Sequence, residues 1–230
     1  YPQSVASGRS REELAGGKAV WDSRAEKSER LARAYPESAG GQHKPAKGAR
    51  RKAGRAKLAF IPPQLCETRE QPPLGDDWVY ETKYDGYRLQ LHVDDGAVRI
   101  FTRNGLDWTE KFPGLVAAAA GLDVEQAVID GEAVVLDKDG LSDFHALVSA
   151  LKQGPAQVVL EAFDLLIHDG NDLRRKTLRD RKDRLRKLLK GAPKVIRYST
   201  DLAGDGAKIF ELACAAGAEG IVAKRITSTY

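Results

Sequence analysis

The chain has 230 residues, 42% of them hydrophobic and 30% charged, with a formal net charge of +4. That allows one sizeable core and a second small unit, while no apolar run is long enough to span a bilayer and no charged-then-apolar leader opens the chain. Its two cysteines, Cys66 and Cys214, are far apart and match no metal-ligand spacing, which sets aside a disulfide scaffold or a zinc module; a soluble cytoplasmic protein is expected, with both cysteines as packing residues.

Residues 1–57 carry 14 Lys and Arg against 6 Asp and Glu, whereas the remaining 173 residues carry 23 against 27. The basic character is therefore N-terminal, where it reads either as a solvated linker or as a segment touching nucleic acid phosphates. Over 10–35 the composition is helix-like, with isolated Trp21, Leu31 and Tyr35. Over 40–57, Gly, Ala, Lys and Arg leave almost no large apolar side chain, as in a linker. A globular pattern begins at Leu58, punctuated by Ile61-Pro62-Pro63 and Gln71-Pro72-Pro73.

Strands are expected over 78–83 and 87–93, and Asp94-Asp95-Gly96 gives a tight hairpin turn into a returning strand over 98–102. A helix over 113–120 precedes a strand over 127–136, turned by Asp137-Lys138-Asp139-Gly140. Ser142 is expected to cap a helix carrying Phe144, Leu147, Val148 and Leu151 at helical spacing. The segment 158–167 is apolar on both faces and reads as a buried strand. A helix over 178–189 places its Arg and Lys on one face and Leu178, Leu185, Leu188 and Leu189 on the other. A short strand over 195–198, a helix over 207–216 and a strand over 220–224 complete the order. The class is α+β, with two largely antiparallel sheets and helices outside.

Five segments place polar groups at strand ends. In Lys83-Tyr84-Asp85-Gly86-Tyr87-Arg88, the lysine is a candidate nucleophile. A lysine amine is ordinarily protonated, so attack on phosphorus needs desolvation or a neighbouring cation to favour the free amine. Asp85 can steady that ammonium or a metal, Gly86 permits close approach of a triphosphate, and Arg88 offers a fixed phosphate or ribose donor. Arg103, in Thr102-Arg103-Asn104-Gly105, is expected to return toward Lys83 through the hairpin. Asp130 and Glu132 share one face of an apolar strand, where carboxylates are costly unless they meet a metal, a ribose hydroxyl or a cation, an internal salt bridge included. Phe163 reads as core or as a base-stacking platform. Glu219 and Lys224 bracket an apolar strand; five apart, they fall on opposite faces unless a turn or bulge intervenes, and the plain alternative is an edge strand with charged ends.

Taken in order, these segments resemble the covalent nucleotidyltransferases, the superfamily of ATP-dependent DNA ligases, RNA ligases and capping enzymes. The resemblance covers 58–225 and rests on motif I at Lys83 to Arg88, motif Ia at Arg103, motif III at Asp130 to Glu132, motif IIIa at Phe163 and motif IV at Glu219 to Lys224. The wording Glu81-Thr82-Lys83-Tyr84-Asp85-Gly86-Tyr87-Arg88 and Phe101-Thr102-Arg103-Asn104-Gly105 is most similar to the ligase domain of the bacterial DNA ligase D family, and the stretch from Ser7 to Trp21 resembles the linker preceding that domain.

The resemblance implies an ATP-grasp-like adenylation domain whose sheets enclose a nucleotide. Lys83 would attack the α-phosphate of ATP and become lysyl-AMP, and the AMP would pass to a DNA 5′-phosphate for sealing of breaks by end joining. Glu81, Lys83, Arg88, Arg103, Glu132, Phe163 and Lys224 would bind the nucleotide, Arg88 and Arg103 holding ribose or the nick phosphate, Glu132 the ribose and Phe163 the adenine. Glu219, Asp130 and Asp85 would serve a divalent metal, Mg²⁺ or Mn²⁺. The implied partners are nicked or broken duplex DNA, phosphoesterase- and polymerase-type domains of the same polypeptide, and a Ku-like end-binding protein, with no membrane.

That family also carries a motif V lysine pair and an OB-fold domain after motif IV. The sequence stops at Tyr230, so the expectation is an adenylation domain over 58–230 without either, limited to self-adenylation, behind a basic arm over 1–57. Three alternatives stand beside it: an RNA ligase or guanylyltransferase, a non-catalytic nucleotide- or DNA-docking module, and a fragment that binds protein partners through the basic arm.

Overall fold

The structure is a computed structural model and describes residues 58–153 and 158–230. The basic arm over 1–57, including the helix-like stretch with Trp21, Leu31 and Tyr35, lies outside the described residues.

Among the described residues, eight strands fall into two sheets. In the smaller, β1 (Trp78–Thr82) pairs antiparallel with β8 (Ile221–Arg225), Thr82 opposite Ile221 and Trp78 opposite Arg225. The larger runs β3-β2-β4-β5-β6, with β2 at Tyr87–Asp94, β3 at Ala97–Thr102, β4 at Gln126–Val134, β5 at Val159–His168 and β6 at Asn171–Asp172. β7 (Ile196–Tyr198) joins β5 in parallel, the one parallel pair among the described strands.

The β2–β3 hairpin turns through Asp95 and Gly96, both at positive φ (50° and 77°), while Asp94 pairs with Ala97. This two-residue loop, with both central residues left-handed, matches strand twist. A second such turn, Asp169 and Gly170 (φ 45° and 77°), makes the unexpected β6.

β2, β4 and β5 are covered on both faces, so Leu89, Leu91, Val128, Ile129, Leu160, Leu165 and Leu166 are all at most 1% exposed. This is why these strands read as nearly continuous apolar runs rather than alternating ones. The α-helices among the described residues are α1 (Pro113–Ala120), α2 (Phe144–Gln153), α3 (Leu178–Leu188) and α4 (Gly206–Ala215). Proline opens α1, which turns Leu115, Ala118 and Ala119 inward and packs on β3. Thr177 caps α3 by accepting from Asp180 N–H, and Asp205 caps α4 by accepting from Ala207 and Lys208 N–H. Truncating one of the fully buried leucines would cost about 2–5 kcal/mol.

Three expectations differ from what is found. Ser142 does not cap α2; Asp143 Oδ1 accepts from Ala146 N–H, and Ser142 Oγ instead accepts from Asp85 N–H across 57 residues of sequence. The cysteines are both exposed, Cys66 in the extended approach to β1 and Cys214 on the outer side of α4. α3 does not segregate its charges, since Arg181 and Lys182 are 1% and 2% exposed. At Gly86 an alanine-sized group would overlap Ala133 carbonyl and Val134, so the β4 backbone approaches this glycine closely. Among the described residues no helix is long and apolar enough to cross a membrane.

Candidate active site

Lys83 leaves β1 at its C-terminal end, and its backbone N–H donates to Gly220 carbonyl at 3.0 Å, one step beyond the β1–β8 ladder. The lysine side chain forms an ion pair with Glu219, both side chains about one-third exposed (31% and 33%). Gly220 makes the meeting possible. Its φ of +150° is a conformation that side-chain-bearing residues rarely adopt, and it turns the chain between Glu219 and the strand that carries Lys224. The break that the five-residue spacing required is this glycine.

Arg88 lies on β2 opposite Glu132 of β4, and Gln90 lies opposite Asp130, so Asp130 and Glu132 do share a face. Arg88 forks onto Asp130 through Nε to Oδ1 (3.0 Å) and Nη2 to Oδ2 (2.8 Å), and donates Nη1 to Gln64 carbonyl (2.6 Å). Tyr230 donates its hydroxyl to Asp130 Oδ2 at 2.7 Å and accepts from Gln64 N–H. Both oxygens of Asp130, 1% exposed, are thereby engaged. Burial works against the Arg88 charge, and Asp130 outweighs it, holding the guanidinium protonated. Glu132 is half-buried beside Arg88.

Phe163 of β5 is half-buried, with the Arg88 guanidinium carbon 5.3 Å and Lys224 Nζ 4.3 Å from its ring centroid. The next residue, Asp164, is buried and held by Arg181 Nε and Nη2 at 2.7 and 2.9 Å. Burial raises the Asp164 carboxyl above the usual carboxylate range and Arg181 opposes the shift. Removing one partner of such a buried pair leaves the other charge uncompensated, which is strongly destabilising.

Glu81, two residues before Lys83, is 2% exposed and lies on the same strand face as Lys83. It accepts from Lys182 Nζ (2.6 Å), Lys224 Nζ (2.9 Å) and Ser199 Oγ (3.3 Å). For Lys182, burial disfavours the charge, but Glu81 and Asp201 reverse this and hold its ammonium above the ordinary lysine value.

Arg103 sits just past the hairpin ladder, where Thr102 faces Leu89, so the register sets it across from Arg88, five residues on from Lys83. It is half-buried, with no hydrogen bond or ion pair among the described residues. Asp85 is half-buried and held by its backbone to Ser142. Among the described residues no three His, Cys, Asp or Glu side chains gather as a metal-holding group.

Sequence reasoning missed Lys182, Arg181, Ser199 and Tyr230. The signal for the first two was present: Arg181 and Lys182 stand three and four residues after Leu178, and four and three before Leu185, in the middle of the apolar stripe of α3.

The arrangement is thus an accessible lysine against a carboxylate, an aromatic ring flanked by two cations, and carboxylates in a sheet wall. The family profile for the ATP dependent DNA ligase domain matches residues 63–230. The chain is 46% identical over 173 residues to the multifunctional non-homologous end joining protein LigD of Pseudomonas aeruginosa, covering 74% of this chain and 20% of that protein. It is 39% identical over 156 residues to the multifunctional non-homologous end joining DNA repair protein LigD of Mycobacterium tuberculosis, covering 68% and 20%. The solved ligase domain of M. tuberculosis LigD superposes with a TM-score of 0.57 at 39% identity, covering 66% of this chain and 50% of that one. A mycobacterial DNA ligase D complexed with ATP and MES gives 0.56 at 37% identity, with the same coverage. The chain therefore spans about a fifth of these curated relatives and half of these solved chains. With the profile running from Pro63 to Tyr230, the chain belongs to the ATP-dependent DNA ligase domain family.

Proposed function

We propose that residues 58–230 form the adenylation unit of a DNA ligase of the end-joining type in the bacterial cytoplasm, and that Lys83 carries AMP covalently. The observation that carries this reading is the contact of Lys83 with Glu219 at the end of the β1–β8 ladder. In the first step, the Lys83 amine, having given up a proton to water, forms a bond to the α-phosphorus of ATP; the bond to the bridging oxygen breaks and pyrophosphate leaves with its electron pair. Next, an oxygen of a DNA 5′-phosphate displaces the lysine, which regains a proton. The neighbouring 3′-hydroxyl then attacks that 5′-phosphate, losing its proton to water, and expels AMP.

Phe163 offers a face for the adenine, Glu132 an acceptor for ribose hydroxyls, and Arg88, Arg103 and Lys224 cationic contacts for ribose or phosphate. Glu219 would hold a divalent cation, Mg²⁺ or Mn²⁺, as a hard carboxylate donor, and Asp85 is the second candidate. When bound it would neutralise charge developing on the α-phosphate. Asp130 is left out of that set, because Arg88 and Tyr230 occupy both of its oxygens.

The basic residues 1–57 are proposed as a linker that touches DNA phosphates, which deleting them would test through the salt dependence of DNA binding. The wider assembly, with phosphoesterase- and polymerase-type domains and a Ku-like partner, is proposed from the relatives' end-joining names alone.

The test is intact mass of the purified chain before and after ATP with Mg²⁺ or Mn²⁺, then after pyrophosphate. An AMP-sized increment on Lys83 that pyrophosphate removes is the expected result. An increment on another residue, or one that pyrophosphate leaves in place, overturns the reading. GTP in place of ATP separates the capping alternative.

A further inference from the structure

A cleft of about 820 Å³ opens where three segments meet: the extended approach to β1, the turn from β6 into α3, and the residues after β8. That volume lies in the range of pockets that hold a ligand. Its walls are tied down. Gln90 of β2 brackets the backbone of Ile61, donating Nε2 to its carbonyl and accepting from its N–H, both at 2.9 Å. Tyr230 N–H donates to Arg174 carbonyl at 2.9 Å, and Gln64 N–H donates to Tyr230 Oη at 3.2 Å.

Three donors on this cleft are unengaged. The Arg175 guanidinium, the Gln64 side-chain amide and the Thr229 hydroxyl belong to exposed residues and make no hydrogen bond or ion pair among the described residues. Asp172, the side-chain carboxylate on the cleft, is taken: Arg174 forks onto it through Nε at 2.9 Å and Nη2 at 2.6 Å, which holds its carboxyl below the usual range. The uncompensated charge of the cleft is therefore that of Arg175, and the exposed Lys176 and Arg179 continue it along the turn into α3.

We propose that this cleft is a subsite for the phosphodiester backbone of a DNA strand, with Arg175 as its cation and Gln64 and Thr229 as neutral donors, and that it aligns the strand whose end reaches Arg88. The inference rests on the reading of residues 58–230 as a DNA ligase unit. The cleft adjoins the candidate active site without using its nucleotide residues. Gln64 carbonyl accepts from Arg88 Nη1 at 2.6 Å and Tyr230 Oη donates to Asp130, so the cleft wall touches the Arg88–Asp130 fork, whose guanidinium carbon is 5.3 Å from the Phe163 ring centroid.

The donor set fits a diester better than a free polyphosphate. Each phosphodiester carries one negative charge and several acceptor oxygens, which one guanidinium and two neutral donors match, whereas pyrophosphate brings more charge than Arg175 balances. Pro62 and Pro63 add a stiff wall without N–H groups, suited to the sugars between phosphates. Contacts of this kind fix the register of a strand and carry no sequence information.

The experiment is binding of a 5′-phosphorylated nicked duplex to the full chain, followed by fluorescence anisotropy across a salt series, for the native sequence, Arg175→Ala, Arg175→Lys and Lys208→Ala. Lys208 is exposed on α4, outside the cleft, and serves as a charge-matched control. Arg175→Ala should weaken binding about tenfold at low salt and lower the salt slope by about 0.9, the value for one phosphate contact. Arg175→Lys should keep the slope, and Lys208→Ala should change neither quantity. An unchanged slope in Arg175→Ala, or an equal fall in Lys208→Ala, overturns the proposal. The AMP-sized mass increment should survive in every variant; if Arg175→Ala loses it while duplex binding stands, the cleft serves nucleotide phosphates and the proposal falls. A native chain that binds no duplex overturns the DNA ligase reading itself, which separates that failure from the failure of Arg175 alone.

Discussion

Lys83 and Glu219 meet although neither belongs to the ladder that brings them together. β1 ends at Thr82 and β8 starts at Ile221, those two residues are partners, and one more hydrogen bond, from Lys83 N–H to Gly220 carbonyl at 3.0 Å, extends the register to the pair. Lys83 is thereby held at a sheet end rather than on a loop, and its carboxylate partner arrives from a residue 136 positions later in the sequence.

Lys83→Ala is expected to abolish any AMP-sized mass increment. Glu219→Gln keeps the size of the side chain and removes its charge, so labelling should slow by about tenfold or more while nucleotide still binds. A Lys83→Ala chain that still acquires AMP would falsify the nucleophile assignment.

Asp130 and Arg88 form a largely buried fork, 1% and 17% exposed at the side chains. Removing one partner leaves the other charge uncompensated, so Asp130→Ala should lower unfolding stability by about 3 kcal/mol. The metal concentration that half-saturates labelling should stay where it was. If instead that concentration rises with stability intact, Asp130 is a metal ligand and its pairing with Arg88 gives way on loading.

Phe163→Ala removes the stacking face. Stacking of a base on an aromatic ring is worth about 1–3 kcal/mol, so ATP affinity should fall by about tenfold while the labelling rate at saturating ATP changes little. Single-turnover labelling across ATP concentrations separates the two; a loss confined to the saturated rate would make Phe163 a packing residue.

What was legible in the sequence follows its periodicity. The Asp95-Gly96 turn announced the β2–β3 hairpin, and the apolar run of β5 announced a strand covered on both faces. β6 escaped because only two residues follow its turn, although Asp169-Gly170 carries the same signal. The buried charges of α3 escaped because Arg181 and Lys182 were read by residue type rather than by position in the stripe between Leu178 and Leu185. Their acceptors, Asp164, Glu81 and the Ser199 carbonyl, come from three distant segments, and no local pattern encodes such a meeting. Tyr230 is a case of the same kind, since its hydroxyl reaches Asp130 across 100 residues of sequence.

His92 gives the fold a pH dependence of known sign. The ring is 4% exposed, packs 4.8 Å from Phe101, and sets Nε2 2.8 Å from Gln90 Oε1, the oxygen that also accepts from Ile61 N–H. Burial, reinforced by the nearby Arg99 charge and opposed by Asp107 and Asp94, pushes the imidazole down to about 4. Above the ordinary value of 6.5 the ring is neutral whether folded or not; below it the unfolded chain takes up a proton that the folded chain refuses until about pH 4. The stability that His92 contributes is thus complete above pH 6.5 and is lost as pH falls toward 4, by up to about 3 kcal/mol. Asp164 and Glu161, whose carboxyls burial pushes up, act in the opposite direction, because there the folded chain holds the proton more tightly. Comparison with a variant isolates the histidine. Urea unfolding of the native chain and of His92→Phe between pH 7 and pH 4.5 should give a shallower loss of stability in the variant, whatever its stability at pH 7, and parallel curves would show that His92 does not titrate with folding.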